Sequence, residues 1–355
     1  TRVLGIRDCR VQRDKQKVLE ESGSTMLPKK LLDVVKRSTA DIANEVGYVG
    51  AGTVEFIYDL KSDAVYFMEM NTRLQVEHPV TEWTSGINIV AEQFRIASGE
   101  SIADLKVKST GYSIEARVNA ERILQQADRS LAFRPHPGDV LVSELPDGEG
   151  VEIITTVGTG KFVSPYYDSM VAQVVVYAKN RNAAADKLIA YLDKVTISGI
   201  CTNIPLLKLV LADEVFRKGK YDTDYLPQLL QRTDIEKLIA EIDASSGSAG
   251  SGIDRDSVLI DGTDELKVLA PATAIFYNTP SPSEPEYVAV GDVIDLDHTL
   301  CQLEAMKIFN PVALKDFNAE GEVYDSSKRY RVTRVNMSNG QQVNVGDLLF
   351  VVAPV

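Results

Sequence analysis

The sequence predicts an α+β protein of two modules, a larger one with helices and an antiparallel sheet and a smaller all-β sandwich. Three observations lead to this prediction. The chain has 355 residues, which is more than one ordinary domain holds. Residues 244–252, ASSGSAGSG, cannot bury apolar surface and are typical of a flexible linker. Helical and strand patterns alternate before this stretch, whereas short Val- and Leu-rich runs interrupted by Gly, Pro and Asn follow it.

The elements of the first module are predicted from the period of their apolar residues. A helix is predicted where these residues recur at three- and four-residue steps, and a strand where apolar and polar residues alternate. By this criterion the helices are 31–46, 183–195 and 228–243, and the strands are 53–58, 65–70 and 170–177.

The same patterns predict the boundaries of the modules. The first module is predicted to span residues 1–235. Residues 236–257 are predicted to hold the end of its last helix and the flexible linker, and residues 258–355 form the second module.

Composition and charge exclude several classes of protein. Hydrophobic residues at 44% and charged residues at 25% are typical of a soluble globular chain. No apolar run approaches the roughly 18 residues of a membrane span, and three cysteines and three histidines are too few for a disulfide framework or a zinc site. The net charge of −13 argues against binding to nucleic acid, which needs clustered Lys and Arg. We therefore expect a cytoplasmic protein, or one of the mitochondrial matrix, with no membrane or nucleic-acid partner.

The second module contains a short internal sequence repeat. The tetrapeptide VGDV at residues 290–293 recurs as VGDL at residues 345–348, and each copy is followed by an apolar run. Such similarity is typical of a pseudo-symmetric sandwich of two like halves. The alternative is a pair of unrelated turns, because Gly and Asp are common in turns.

Between the two copies stands the motif EAMK at residues 304–307. A single lysine is usually a solvated surface charge, and that is the alternative for Lys307. The motif resembles that of the biotin carboxyl carrier domain, a flattened sandwich of the biotinyl and lipoyl type, whose modified lysine lies in Ala-Met-Lys. The resemblance implies that biotin is attached covalently to Lys307 and that a biotin protein ligase attaches it.

Two predicted strands of the first module carry acidic residues that would face each other in a hairpin. Glu55 lies on the earlier strand, and Glu69 lies on the later one, with Asn71 two residues beyond it. Two carboxylates and an amide make an oxygen-rich site suited to Mg²⁺ or Mn²⁺, which bridge nucleotide phosphates. On spacing alone, both glutamates could instead be solvent-facing strand residues.

The segment EMNTRLQVEHPVTE at residues 69–82 looks like the hallmark of the ATP-grasp biotin carboxylases. The resemblance continues in residues 7–21, 116–121 and 167–170 and, together with the carrier motif, covers almost the whole chain. The sequence is thus similar to the biotin carboxylase/carrier subunit of acyl-CoA carboxylases. The fold that this implies is the C-terminal part of an ATP-grasp biotin carboxylase, followed by an all-β biotinyl domain.

The resemblance implies roles around ATP for four matching residues. Gln12, Glu55 and Glu69 would lie at the ATP phosphates. Glu55, Glu69 and Asn71 would hold the Mg²⁺ or Mn²⁺ ion there. ATP itself would be a substrate.

The resemblance also implies the residues that handle bicarbonate and biotin. Lys17 and Arg73 would hold bicarbonate, since a guanidinium fork grips a planar anion at two points. Glu77 would remove the bicarbonate proton as the general base, and Arg117 would face the ureido oxygen of biotin. Without the resemblance, Arg73 and Glu77 lie four residues apart and could simply form a surface ion pair.

The activity implied is that of a ligase, which carboxylates biotin for later transfer to an acyl-CoA by a separate carboxyltransferase. A homo-oligomer formed through the carboxylase domain is implied as well. Pyruvate and urea carboxylases share this biotin-carboxylating part, so the sequence does not identify the carboxyl acceptor. No Gly-rich phosphate-covering loop occurs in the sequence, and we expect the 355 residues alone to be inactive. A non-catalytic carrier or docking module that presents biotin to partner subunits is the alternative function.

Overall fold

The fold is described from a computed structural model, over residues 1–13, 15–125, 130–246, 258–260, 263–306, 308–317 and 324–355. Within these residues helices and strands are mixed, and every pairing between strands is antiparallel. The predicted α+β class with antiparallel sheets is therefore confirmed. Buried side chains form two clusters, one drawn almost entirely from residues before 246 and one from residues after 257.

The helices whose bounds are described lie before residue 246, apart from one 3₁₀ turn. They are α1 Lys29–Glu45, α2 His78–Ser85, α3 Ile89–Ala97, α4 Arg181–Leu192, α5 Ile204–Ala212, α6 Glu214–Lys218, α7 Tyr225–Gln231 and α8 Ile235–Ser245, and the 3₁₀ turn is Leu314–Phe317. Over the part of the chain that the structure describes, none of these is both long and apolar enough to cross a membrane.

The strands divide between the two clusters. Those of the first are β1 Arg7–Asp8, β2 Gln12–Arg13, β3 Gln16–Lys17, β4 Leu19–Ser22, β5 Thr53–Asp59, β6 Ala64–Asn71, β7 Tyr112–Asn119, β8 Glu121–Gln125, β9 Leu131–Pro135, β10 Gly138–Asp139, β11 Val142–Glu144, β12 Val151–Thr155, β13 Phe162–Val163, β14 Met170–Ala178 and β15 Thr196–Ser198. Those of the second are β16 Leu266–Leu269, β17 Ala274–Tyr277, β18 Val293–Ile294, β19 Thr299–Ala305, β20 Ile308–Ala313, β21 Tyr330–Val335, β22 Gln341–Val343 and β23 Leu348–Pro354.

A five-stranded sheet with the order β1-β4-β7-β14-β12 is the frame of the first module. In its central strand β7, Ile114, Ala116 and Val118 are fully buried in the same cluster as the apolar residues of α4 and α5. Successive side chains of a strand point to opposite faces, so Glu115 and Arg117 lie on the other face of the sheet. That second face carries the polar groups of the candidate site.

The hairpin that should bring two glutamates together is present. The predicted helix 31–46 and strands 53–58 and 65–70 are confirmed as α1, β5 and β6, with ends that differ by no more than two residues. In the register of this hairpin, Glu55 is the direct partner of Glu69.

The helical pattern of residues 228–243 forms two helices and not one. The side chain of Asp234 accepts a hydrogen bond from the backbone N–H of Lys237 and so caps the start of α8, because a capping Asp satisfies the free N–H groups of a new helix. Leu238 and Ile242 of α8 are buried in the first cluster. The end of α8 at Ser245 lies within residues 236–257, which were predicted to hold the end of the last helix and the linker. Residues 247–252 of the predicted linker lie outside the described residues.

The second module consists of two four-stranded sheets around one cluster of buried residues, with the orders β16-β23-β21-β18 and β20-β19-β17-β22. Its two VGD segments form the same turn. Asp292 and Asp347 each accept at Oδ2 a hydrogen bond from the backbone N–H three residues earlier, at 2.8 and 2.7 Å. Gly291 and Gly346 both have positive φ angles, 103° and 86°. Gly291 donates to the backbone carbonyl of Val332 in β21, and Gly346 donates to that of Ala270, just after β16. These matched contacts favour a structural repeat over two unrelated turns.

The hairpin β19–β20 faces the first module. Ala305 pairs with Ile308 across its turn, and Lys307 itself lies outside the described residues. Met306 is buried in the cluster of the first module and donates its backbone N–H to the carbonyl of Pro165. The predicted biotin carrier motif thus contains a residue, Met306, that contacts the other module.

Gly199 offers a test of the packing of the first module. Its φ is +91°, and a Cβ at this position would lie 2.2 Å from the carbonyl oxygen of Asp139. Gly86 has a similar φ of +70° with no atom within 4 Å of its Cβ position. We expect Gly86→Ala to cost about 1 kcal/mol for the backbone conformation alone, and Gly199→Ala about 3 kcal/mol because strand β15 must also shift. Urea unfolding of both variants measures the difference, and equal losses would contradict the contact.

Candidate active site

Two carboxylates meet at the end of the β5–β6 hairpin. The side-chain amide of Asn71 donates to Oε1 of Glu55 at 3.2 Å and to Oε1 of Glu69 at 3.1 Å. The amide of Gln75 donates to the same Oε1 of Glu55 at 3.0 Å. Because these contacts all use Oε1, the Oε2 atoms can face a cation.

The number and type of possible metal ligands at this hairpin determine which cation fits. Among the described residues, no group of three or more His, Cys, Asp or Glu side chains is placed to hold a metal ion. Two carboxylates alone leave a hard divalent cation short of its usual six oxygen ligands. Glu55 and Glu69 therefore fit Mg²⁺ or Mn²⁺ only where other oxygens, such as those of phosphates and water, complete the shell.

Lys17 links this hairpin to the centre of the site. It lies on β3, directly opposite Gln12 in the short β2–β3 hairpin. Its Nζ is 3.6 Å from Oε1 of Glu55 and 2.5 Å from Oε1 of Glu77. Burial acts to lower the pKa of Lys17, but the charges of Glu20 and other neighbouring groups outweigh burial and raise it. Lys17 is therefore a firmly charged ammonium between two carboxylates.

Glu77 is a buried carboxylate held between two cations. It immediately precedes α2, and only 3% of the residue is exposed. Besides Lys17 on Oε1, it accepts a hydrogen bond on Oε2 from Arg117 Nη2 at 2.9 Å. Burial acts to raise the pKa of Glu77, yet the hydrogen bond and charge of Lys17 prevail and lower it. The residue is held in its ionised form, the form that a base requires.

Arg73 is the candidate residue that the structure does not join to the others. Its side chain is exposed, and its Nη1 donates to the backbone carbonyl of Leu74 at 3.2 Å. The interpretation of Arg73 and Glu77 as a surface ion pair is wrong, because Glu77 is buried and its two oxygens bind Lys17 and Arg117. Local residue spacing could not predict these two partners of Glu77, because they lie 60 and 40 residues away in sequence.

A cavity of about 860 Å³ lies beside these groups. Apolar residues of the segment before β1, of α1 and of the β5–β6 hairpin form part of its wall. The predicted site residues that line it are Gln12, Lys17, Glu55, Glu69 and Arg73. The cavity is large enough for a nucleotide-sized ligand.

A second layer of polar residues, not predicted from the sequence, lies below Glu77. Arg7 donates to Glu20, Thr81 and Gln75, and Gln173 donates to both Glu115 and the carbonyl of Val76. Glu20 and Glu115 are almost fully buried. A signal was present, because YSIEARVN at residues 112–119 alternates polar and apolar residues and so predicts a strand with one polar face.

Two family models match the first module. Residues 2–105 match the ATP binding domain of the carbamoyl-phosphate synthase L chain, and residues 115–228 match the biotin carboxylase C-terminal domain. Residues 115–228 are thus similar to a domain of the biotin carboxylases. Biotin carboxylase 1 of Bacillus subtilis (strain 168) is 42% identical over 225 residues, which are 63% of this chain and 49% of that protein. The chain thus spans about half the length of the curated relatives that it matches.

Solved structures are similar to the first module as well. The biotin carboxylase domain dimer of the Hydrogenobacter thermophilus 2-oxoglutarate carboxylase, in complex with MgADP, ADP and bicarbonate, is 39% identical with a TM-score of 0.59. The match covers 65% of this chain and 51% of that one. Further relatives are the urea amidolyase of Saccharomyces cerevisiae and a pyruvate carboxylase subunit of Methanothermobacter thermautotrophicus.

One structural match extends over the second module as well. A single-chain, multi-domain long-chain acyl-CoA carboxylase is 28% identical with a TM-score of 0.59. That match covers 99% of this chain and 34% of the other.

Proposed function

We propose that the protein carrying this chain uses ATP and bicarbonate to carboxylate biotin. The observation that carries the proposal is the continuous series of contacts from Glu55 through Lys17 and Glu77 to Arg117, inside domains of the biotin carboxylase type. This series joins the hairpin assigned to the phosphates with the arginine assigned to biotin.

Glu77 is the proposed general base for bicarbonate. It is ionised, buried and close to two cations, and a base must lie within hydrogen-bond reach of the proton that it removes. Lys17 offers a point charge for the bound anion next to that base. Arg73, on the cavity wall, is proposed to complete the anion site by turning its guanidinium from Leu74 toward the ligand.

Gln12, Glu55, Glu69 and Asn71 are proposed to serve the ATP phosphates and their cation. When bound, Mg²⁺ or Mn²⁺ supplies charge neutralisation on the phosphates that react. Asn71 keeps the two carboxylates side by side by donating to both. Lys17, opposite Gln12, places bicarbonate next to the transferring phosphate.

Arg117 is proposed to bind the ureido oxygen of biotin. Biotin supplies the ureido nitrogen that accepts the carboxyl group. Arg117 is partly exposed, and one of its nitrogens already binds Glu77, so the remaining N–H groups can meet a ligand oxygen beside the base. Charge that develops on that oxygen is stabilised by the fixed guanidinium.

We infer that the second module is the carrier and that Lys307 bears the biotin after a biotin protein ligase attaches it. Three contacts of this module support a role next to the carboxylase domains. Met306 binds the carbonyl of Pro165, Asn310 accepts from Arg134, and Gln342 accepts from the hydroxyl of Tyr166. Pro165 precedes β14, whose first residue is the strand partner of Asn119, two residues beyond Arg117.

For the carboxyl acceptor we propose an acyl-CoA, reached through a separate carboxyltransferase. The support is the match of nearly the whole chain to a long-chain acyl-CoA carboxylase. Pyruvate and urea remain the competing acceptors. A homo-oligomer built through the carboxylase domains is proposed because the related 2-oxoglutarate carboxylase domain is described as a dimer. We propose a cytoplasmic location.

Phosphate release from ATP by the whole protein tests the proposed function. We expect release that requires bicarbonate, biotin and Mg²⁺ together, and label from bicarbonate that appears on biotin. A biotinylated protein that shows neither would support a non-catalytic carrier. A panel of acetyl-CoA, longer acyl-CoAs, pyruvate and urea, with the carboxyltransferase added, then identifies the acceptor.

Arg134→Ala separates docking of the carrier from the chemistry. Because Arg134 binds Asn310 of the second module, its loss should slow carboxylation of the protein-borne biotin about tenfold, the effect of losing one hydrogen bond with a charged partner. Carboxylation of free biotin should not change. Asn310→Ala should give the same loss, and the double variant should lose no more. Additive losses would show that the two residues do not act as a pair.

A further inference from the structure

Two buried carboxyl groups lie side by side beneath the candidate site. Glu20 on β4 is the direct antiparallel partner of Glu115 on β7, so the two side chains share one face of the sheet. Glu20 is 2% exposed and Glu115 is 0% exposed. Cβ atoms of such partners are about 5 Å apart, which brings their carboxyl groups into each other's field.

Each carboxyl group has one oxygen with a partner and one without. Glu20 accepts on Oε1 from Arg7 Nε at 3.2 Å, and Glu115 accepts on Oε2 from Gln173 Nε2 at 2.7 Å. Within the described residues, Oε2 of Glu20 and Oε1 of Glu115 have no hydrogen-bond partner. The nearest cation to the latter oxygen is Arg117, whose Nε is 3.5 Å away. If both groups were ionised, each would bury a charged oxygen without a hydrogen-bond partner, which is unfavourable in free energy.

The surrounding charges do not neutralise both groups. The cations that face them are Arg7 from β1, Lys17 from β3 and Arg117 from β7. Lys17 and Arg117 already bind Glu77 at the start of α2, and β14 contributes only the neutral Gln173.

The balance of burial and charge favours the protonated forms. Burial, only partly offset by Lys17 and Arg7, raises the pKa of Glu20 to about 8. Burial likewise raises the pKa of Glu115 to about 7, against the hydrogen bond of Gln173 and the charge of Arg117. Glu77 adds to both increases through its negative charge.

We propose that Glu20 and Glu115 hold one proton between them at neutral pH and act as positioning residues for Lys17 and Arg117. The role for bicarbonate rests on the proposed function, whereas the shared proton does not. With the proton in place, the pair carries one negative charge, and Lys17 and Arg117 stay directed toward Glu77 and the ligand. Loss of the proton adds a second negative charge under an anion site, which weakens bicarbonate binding and draws Arg117 toward Glu115.

The protonation state can be measured without any enzyme assay. Infrared spectra of the folded protein with ¹³C-labelled glutamate should show one carboxylic-acid C=O band at pH 7, which disappears at higher pH. The double variant Glu20→Gln/Glu115→Gln should lack this band. Glu144→Gln, at an exposed strand position, should keep it. Gln173→Lys should lower the pH at which the band disappears, because an ammonium group there stabilises the ionised form of Glu115.

If the unmodified protein shows no such band at pH 7, the two carboxyl groups do not share a proton, whatever the activity is.

The effect on bicarbonate is the second measurement. In the unmodified protein we expect KM for bicarbonate, corrected for its own ionisation, to rise about tenfold as the pair loses its proton, while kcat changes much less. Glu115→Gln should remove this rise, and Glu144→Gln should retain it. An unchanged pH profile in Glu115→Gln, with the infrared band present, overturns the positioning role. Absence of bicarbonate-dependent phosphate release at every pH contradicts the proposed function. The infrared band alone then shows whether Glu20 and Glu115 share a proton.

Discussion

Glu77→Gln should lower bicarbonate-dependent carboxylation about 10²- to 10⁴-fold, the range expected for the loss of a general base. The substitution keeps the size of the side chain and removes its ability to accept a proton. It also leaves Lys17 and Arg117 facing a neutral amide inside a buried site. The affinity for ATP should change little, because Glu77 contacts neither Glu55 nor Glu69. Initial rates and nucleotide titrations of the whole protein measure both quantities.

The control for this variant is an exposed glutamate on the same domain. Glu144→Gln on β11 should have normal kinetics, since its side chain lies on the surface. If Glu77→Gln also keeps near-normal turnover, then the residue only neutralises Lys17 and Arg117, and the base lies elsewhere.

Lys307→Arg should abolish attachment of biotin and with it all transfer of carboxyl groups by the carrier. Arginine keeps the positive charge but has no amine that a ligase can acylate. Carboxylation of added free biotin should continue, because the residues proposed for that chemistry belong to the first module. The increase in intact mass after co-expression with a biotin ligase measures attachment directly.

Lys328→Arg is the matched control, since Lys328 is an exposed lysine of the same module. This variant should be biotinylated as fully as the unmodified protein. Biotin that persists on Lys307→Arg and is lost from another lysine variant would show that the motif at 304–307 was misread.

The sequence predicted elements well where one periodicity persists over many residues. The helix 31–46, the hairpin strands 53–58 and 65–70, and the strand and helix around 170–195 are all present with small shifts of their ends. The prediction of a single helix over 228–243 was wrong. The spacing of the apolar residues continues unchanged past Asp234, so it gives no sign that one helix ends and another begins there.

The pairing of charges was predicted less well, because it depends on contacts between distant segments. Spacing correctly placed Glu55 opposite Glu69, since a tight hairpin is a local structure. It also offered Arg73 as the partner of Glu77, whereas the β2–β3 hairpin and strand β7 bring Lys17 and Arg117 there from 60 and 40 residues away. The buried pair of Glu20 and Glu115 became visible only when the register of β4 on β7 was known.

The burial of Met306 between the modules has a consequence for the timing of the proposed reaction cycle. A tether raises the local concentration of the second module to the order of millimolar, so a contact of millimolar affinity is already occupied about half of the time. Stronger binding would lengthen the dwell time on the first module and delay each departure to the carboxyltransferase. Among the described residues, the burial of Met306 and three hydrogen bonds join the second module to the first. In the proposed cycle these contacts have to break once per turnover, when the second module leaves for the carboxyltransferase.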